Sequence, residues 1–280
     1  MKGVRADVRL VELGLAPSRE KARSLIMAGV VFADGKRVDK AGEPLGPEQD
    51  LTVKEDPVPF VSRGGLKLAK AMKAFGLSLD GAIAADVGAS TGGFTDCMLQ
   101  NGAKKVYAID VGYGQLDWRL RNDGRVVAME RMNARNMAPD WFDEPLDFAG
   151  MDVSFISIRL ILPALFTCLR PGAQMVTLVK PQFEAGRDKV GKNGVVRDPK
   201  THLSVLQEAV QGAMAAGFTV RQADYSPITG PKGNIEYLLL LEKGQEAVAA
   251  QGDPLEKRLQ EVVEQSHREL DSHIVLDKIP

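Results

Sequence analysis

The 280-residue sequence predicts an α/β protein: a seven-stranded, largely parallel sheet covered by helices, preceded by a small α+β module. Three observations lead there. Seven apolar runs between residues 83 and 241 alternate with helical stretches. The first run opens directly into a glycine-rich turn, Gly88-Ala89-Ser90-Thr91-Gly92-Gly93. The first forty residues carry nine Lys/Arg against five Asp/Glu, net +4, and a proline-bearing spacer separates their module from the rest. At roughly 150 residues per domain, the length also asks for about two domains.

Residues 1–56 read as helix, helix, hairpin. Across Asp7–Leu15, Val8, Leu10 and Val11 lie among polar neighbours, the pattern of a short helix. Ser18 is placed to cap a second helix that runs through Ala22, Leu25 and Ile26 and stops at Gly29. Val30–Phe32 is a strand, Ala33-Asp34-Gly35-Lys36 a hairpin-type turn, and Leu51–Val53 a returning strand. Arg19, Lys21, Arg23, Lys36 and Arg37 then form either a solvated face or a basic binding surface. Residues 57–62, with Pro57 and Pro59, make a semi-rigid linker.

Strands follow at Ile83–Val87, Lys105–Ile109, Val126–Met129, Leu146–Met151, Ala173–Val179, Thr219–Ser226 and Glu236–Leu241. Helices lie between most of them, including Ile158–Leu169 and Pro199–Ala216. No helix fits between the last two strands, so Glu236–Leu241 should run antiparallel. The second domain therefore covers residues 63–243, with an acidic helical extension over 244–280. In that extension Asp253–Ser272 has amphipathic spacing (Leu255, Leu259, Val262, Leu270) and is either packed on the core or free.

Composition excludes several classes. The chain is 44% apolar and 26% charged, which rules out wholesale disorder. A net charge of −1 means that any nucleic-acid affinity must come from local patches, such as residues 61–75 with Arg63, Lys67, Lys70 and Lys73 and no acid. Two cysteines cannot build a disulfide framework, and with three histidines they leave no expected metal site. Leu160–Leu169, the longest apolar stretch, is too short to span a membrane and contains Pro163; Met1–Asp7 lacks the apolar core of a signal peptide. The expectation is a soluble cytoplasmic protein.

A strand, a glycine turn and a helix make a nucleotide-type cofactor pocket, because glycines let the backbone approach a ligand. This pattern alone does not separate NAD from S-adenosyl-L-methionine. Two details favour the latter. Asp86 sits where a carboxylate would repel a pyrophosphate but suit a cationic amino-acid group. Ser90 replaces the second glycine of the dinucleotide fingerprint. Asp110, 24 residues after Asp86, is placed for a ribose diol in either cofactor.

Residues Arg9-Leu10, Ser18-Arg19-Glu20-Lys21-Ala22-Arg23, Ile26, Ala28-Gly29-Val30-Val31 and Val38 resemble the small RNA-binding domain named after ribosomal protein S-four. The turn, Asp86-Val87-Gly88-Ala89-Ser90-Thr91-Gly92-Gly93-Phe94-Thr95, resembles the first motif of the FtsJ-like RNA 2′-O-methyltransferases. Val61–Leu68, Glu130–Arg135, Met151–Ser157, Leu178–Glu184 and Gly233–Tyr237 agree with it, and residues 5–242 as a whole resemble the TlyA family. Those are bacterial rRNA 2′-O-methyltransferases, often labelled hemolysins.

The resemblance implies a Rossmann-like, S-adenosylmethionine-dependent methyltransferase sheet acting on ribosomal RNA or ribosomal subunits. It implies a catalytic Lys-Asp-Lys-Glu set at Lys67, Asp152, Lys180 and Glu236. The cofactor would be held by Asp86, Gly88, Ala89, Ser90, Gly92, Gly93, Phe94, Asp110, Asn133 and Asp152. RNA would meet Arg5, Arg9, Arg19, Lys21, Arg23, Lys36, Arg37, Arg63, Arg187 and Lys189. The last two lie in Gly186–Arg197, read as a basic flexible loop that either clamps RNA or is merely solvated.

The chemistry is consistent with that set. A ribose 2′-hydroxyl is a poor nucleophile, so the site must align it and remove its proton. A lysine serves as base only when its pKa falls, which a second nearby cation favours. Lys180 is the expected base with Lys67 beside it; Asp152 would orient Lys180, and Glu236 would position the ribose or the second lysine, the last two roles being exchangeable. No Asn/Asp-Pro-Pro-aromatic run exists for exocyclic-amine methylation, and neither Cys97 nor Cys168 follows a proline as a pyrimidine C5 nucleophile would. Three rivals remain at this level: a non-catalytic RNA-binding assembly factor, an NAD-dependent oxidoreductase and a hemolysin.

Overall fold

The computed structural model describes residues 3–27, 29–54, 59–191, 193–244 and 253–276. Ala28, the linker residues Pro57 and Val58, the loop residue Lys192 and parts of the C-terminal extension lie outside them. The chain divides into two compact units, residues 1–59 and 60–280.

In the first unit, β1 (Val4–Arg5) leads into α1 (Ala6–Glu12), and α2 (Arg19–Met27) follows. The Ser18 hydroxyl accepts from the Lys21 amide at 3.2 Å, the cap expected from the sequence. Next come β2 (Val31–Ala33), β3 (Lys36–Arg37), β4 (Pro44–Leu45) and β5 (Leu51–Val53), with β2 paired antiparallel to both β3 and β5. Asp34 and Gly35 both have positive φ, 49° and 75°, as a two-residue hairpin turn requires. Leu10, Ala22, Leu25, Ile26, Val31 and Leu51 form this unit's own core. The β1–β4 pairing was not foreseen, since each strand is only two residues long.

The second unit begins with α3 (Gly64–Phe75) and then alternates β6 (Ile83–Val87), α4 (Gly93–Gln100), β7 (Lys105–Asp110), α5 (Trp118–Arg121) and β8 (Val126–Glu130). After β8 come β9 (Leu146–Met151), α6 (Leu162–Cys168), β10 (Leu169–Val179), α7 (Pro181–Glu184), α8 (Pro199–Ala215), β11 (Phe218–Tyr225), β12 (Tyr237–Lys243) and α9 (Asp253–Leu276). Strands β6–β12 form one seven-stranded sheet in the order β11-β12-β10-β9-β6-β7-β8. The ladder from β10 to β8 is parallel, whereas β12 runs antiparallel to both β10 and β11, as expected.

The helix expected over Ile158–Leu169 is shorter. A 3-10 turn occupies Ile158–Leu160 and α6 starts at Leu162, because Pro163 has no amide to donate and fits only a first turn. Strand β10 starts at Leu169, earlier than expected, and shifts register between Leu169 and Gln174, around Pro171 and Gly172. The C-terminal helix is packed: Leu259, Val262, Val263 and Leu270 are buried in the main core, where α9 meets α8 and β11.

Candidate active site

From β6 the chain moves outward through β7 and β8, then returns to the other side of β6 for β9 and β10. The carboxyl ends of β6 and β9 therefore border the crevice where open α/β sheets bind ligands. Gly88 (φ 87°) follows β6, and a Cβ there would lie 2.7 Å from the Asp152 carbonyl oxygen, just past β9. A Cβ on Gly93 would meet the Ser62 hydroxyl at 2.4 Å and the Gly65 amide nitrogen at 2.8 Å. These two glycines thus allow protein segments to close on each other, a demand separate from ligand approach.

Asp86 is fully buried at the end of β6. Its Oδ2 accepts from the Thr95 amide at 2.8 Å and the Thr95 hydroxyl at 2.7 Å, while its buried Oδ1 has no partner. Burial, opposed by the Thr95 hydrogen bonds, pushes this carboxyl up to about 7. An orphaned buried acceptor beside a glycine turn fits a cationic ligand group. Ser90 holds a left-handed conformation (φ 49°), and its amide donates to Asp110 Oδ2 at 2.8 Å; the Gly112 amide donates to Asp110 Oδ1 at 2.6 Å. Asp110 thereby braces the turn from β7 and retains lone pairs on both oxygens. Asn133 is exposed, its side-chain oxygen capping a short 3-10 turn through the Arg135 amide. The Phe94 side chain is buried in the core cluster around Leu68 and Leu178.

The four charged residues singled out in the sequence come together. Lys180 Nζ forms an ion pair with Asp152 Oδ1 at 2.5 Å and donates to the Ser154 hydroxyl at 3.0 Å. Lys67 Nζ donates to Asp152 Oδ2 at 3.2 Å and to Glu236 Oε2 at 2.6 Å. The result is a linear series, Lys180–Asp152–Lys67–Glu236. Asp152 and Lys180 follow the parallel strands β9 and β10, whereas Lys67 comes from the first turn of α3. Glu236 immediately precedes β12, whose antiparallel course sets its start beside the end of β10 (Tyr237 opposite Val179). Burial alone would drive Lys67 down, but the Asp152 and Glu236 carboxylates together hold it above its ordinary value. Burial opposes charge on Asp152 too, yet Lys67 and Lys180 keep it below the usual carboxylate range.

Ser154 and Thr95 were not singled out as site residues, although both lie within the quoted motifs. Beside Lys180, Phe155 is 90% exposed in a left-handed conformation (φ 64°), with its ring centroid 4.9 Å from that of Phe183. The loop expected to be flexible is pinned at its far end. The Asn234 side chain accepts from the Val196 amide at 3.0 Å and donates to the Gly194 carbonyl at 2.9 Å, and Val195 and Val196 are buried.

The residues expected to meet RNA divide between the two units. Arg5, Arg19 and Arg23 gather on the Asp7 carboxylate. Arg9 donates to the Pro47 carbonyl at 2.8 Å. Lys21 and Lys36 are exposed, and Arg37 pairs with Asp39 at 2.8 Å. Arg63 is exposed at the head of α3 and Lys189 in the turn Arg187–Lys189; the Arg187 side chain lies outside those described. Among the described residues, no group of three or more His, Cys, Asp or Glu could hold a metal, and no helix is long and apolar enough to cross a membrane.

Comparison with known proteins matches the FtsJ-like methyltransferase model over residues 60–243 and the S4 domain model over residues 4–51. YqxC of Bacillus subtilis, named as a candidate rRNA methyltransferase, is 53% identical over 270 residues, 96% of each chain. The 16S/23S rRNA (cytidine-2′-O)-methyltransferase TlyA of Mycobacterium tuberculosis is 44% identical over 250 residues, 89% of this chain and 93% of that one. The solved structure of a hemolysin candidate from Streptococcus thermophilus, 47% identical, superposes with a TM-score of 0.78 over 98% of each chain. The FtsJ-like model spans the segment that carries Lys67, Asp152, Lys180 and Glu236, and the chain belongs to the FtsJ-like methyltransferase family.

Proposed function

We propose that this chain is an S-adenosylmethionine-dependent methyltransferase acting on a ribose 2′-hydroxyl of ribosomal RNA. The observation that carries the reading is the Lys180–Asp152–Lys67–Glu236 series at the carboxyl edge of the sheet. Family membership and the rRNA substrates in the relatives' names support the same substrate class. The cofactor fits the turn Gly88–Gly93, with Asp86 for its cationic amino-acid group and Asp110 for its ribose hydroxyls, and supplies a methyl group already activated on a sulfonium.

The chain's own residues handle the hydroxyl and its proton. Lys180, in its neutral form, is the group that takes the 2′-hydroxyl proton as the oxygen attacks the cofactor's methyl group. Asp152 orients the Lys180 amine and bridges it to Lys67. Glu236, paired with Lys67 at 2.6 Å, holds that second lysine in place, which favours this role over direct contact with the ribose. Residues 4–51 bind structured RNA, and the expected linker and domain limits (57–62, 63–243) describe how that module is tethered to the catalytic one.

Lys180→Ala tests the assignment. A positioned base contributes about 10²–10⁴-fold, so methyl transfer to rRNA should fall by that order while S-adenosylhomocysteine still binds in calorimetry. Lys180→Arg keeps the charge but does not take up a proton usefully. Arginine restoring most of the activity would make Lys180 an electrostatic clamp and send the proton elsewhere.

A further inference from the structure

Asp7 is 0% exposed, yet three guanidinium groups converge on it, each on a side chain that is half in water (Arg5 51%, Arg19 51%, Arg23 53%). Arg5 Nε donates to Oδ1 at 2.9 Å. Oδ2 accepts from Arg5 Nη2 at 3.2 Å, Arg19 Nη2 at 2.9 Å and Arg23 Nε at 3.1 Å. The three arginines enter from β1, the start of α2 and one turn further along α2. Three positive charges on one carboxylate leave a local charge of +2. The arginines hold Asp7 well below the usual carboxylate range, the Arg5 hydrogen bond first among the causes, so it stays charged.

A carboxylate is the wrong sign for a surface meant only to attract RNA. Its value lies in geometry. A guanidinium has five N–H donors in a fixed plane; Arg5 spends two on Asp7, and Arg19 and Arg23 spend one each. The remaining donors are steered by one shared anchor and match the oxygens of a phosphate. Tethering before the ligand arrives removes much of the entropy cost of ordering three long side chains.

The geometry points to Arg5, Arg19 and Arg23 as a single preorganised site for a backbone phosphate of RNA, with Asp7 as its positioning residue. This rests on residues 4–51 being an RNA-binding module and names how that module grips.

The test uses full-length protein and protein-free 16S and 23S rRNA in filter binding across a salt series. Asp7→Asn removes a negative charge, so attraction alone predicts tighter binding. Lost positioning predicts binding roughly ten- to a hundredfold weaker, since about three side chains must then be ordered on contact. The slope of log affinity against log salt should also become shallower, which a change in stability alone would not produce. Binding as tight as wild type, or tighter, overturns the proposal. Should Asp7→Asn prevent the first unit from folding, the triple variant Arg5→Lys, Arg19→Lys, Arg23→Lys decides. It keeps every charge but loses the planar fork, so wild-type affinity overturns the proposal and a loss of about tenfold supports it. The matching triple Gln variant separates the two levels. If it binds rRNA like wild type, this face does not bind RNA at all; if it binds poorly while Asp7→Asn and the Lys variant bind normally, only the phosphate site fails.

Discussion

Asp86→Asn should remove a pH-dependent loss of stability centred on one carboxyl. In the folded chain burial raises Asp86 to about 7 from an ordinary 3.8. Below pH 4 both folded and unfolded chains carry the proton, and the stability associated with it is fully present. Between about pH 4 and 7 the unfolded chain has released a proton that the folded chain still holds, so stability falls by about 1.4 kcal/mol per pH unit. Three such units amount to about 4 kcal/mol, after which the loss levels off above the folded pKa. Asparagine keeps an oxygen for the Thr95 amide and hydroxyl but does not titrate. Urea unfolding at pH 4, 5.5 and 7, compared between wild type and variant, isolates this group from others that titrate in the same range. The wild-type advantage should shrink by about 4 kcal/mol across the series; parallel curves would refute the reasoning and mean that the buried carboxylate is satisfied. The same orphaned oxygen bears on the cofactor. If a cationic amine docks beside Asp86, binding of S-adenosylhomocysteine near pH 6 should release up to one proton, read by calorimetry in buffers of different ionisation enthalpy. Asp86→Asn should release none.

Two further outcomes follow from packing. Lys67→Met leaves the buried Glu236 carboxylate without its partner, and breaking a buried pair from one side costs about 3–5 kcal/mol, so urea unfolding should show that loss together with lost methyl transfer. A loss below about 1 kcal/mol would mean the series is not energetically coupled. Leu259→Ala, on the buried face of α9, should cost about 2–5 kcal/mol by thermal or urea denaturation; no change would show that α9 contributes nothing to the core.

Much of the site was legible as identities but not as pairings. Lys67, Asp152, Lys180 and Glu236 stand in motifs whose resemblance named them, but Lys67 is 85 residues from Asp152 and 169 from Glu236. Which lysine meets which carboxylate depends on β12 being inserted between β10 and β11 and running backwards. From its motif alone Glu236 could position either the ribose or the second lysine, and its 2.6 Å contact with Lys67 favours the lysine. Asp7 carried no such signal, and the resemblance named Arg9 only as an RNA contact. One basic residue among several turned out to brace Pro47, and one acid among five in the first forty residues turned out to anchor three arginines.

The elements themselves were determined locally. The strands of the main sheet are short continuous apolar runs, helix faces repeat every 3.6 residues, and caps and turns such as Ser18 and Asp34-Gly35 act within three or four residues, so composition in a short window specifies them. The glycine turn after β6, the antiparallel final strand and the acidic amphipathic helix were all present in that local code. Tertiary structure alone decided strand order, the packing of α9 on α8 and β11, the pinning of Gly194 and Val196 by Asn234, and the sharing of Asp7 Oδ2 among three arginines. Nearly all of these contacts join residues well separated in the chain, Arg5 with Asp7 being the exception, and they depend on which long-range pairings bury the most apolar surface while leaving the fewest polar groups unpaired.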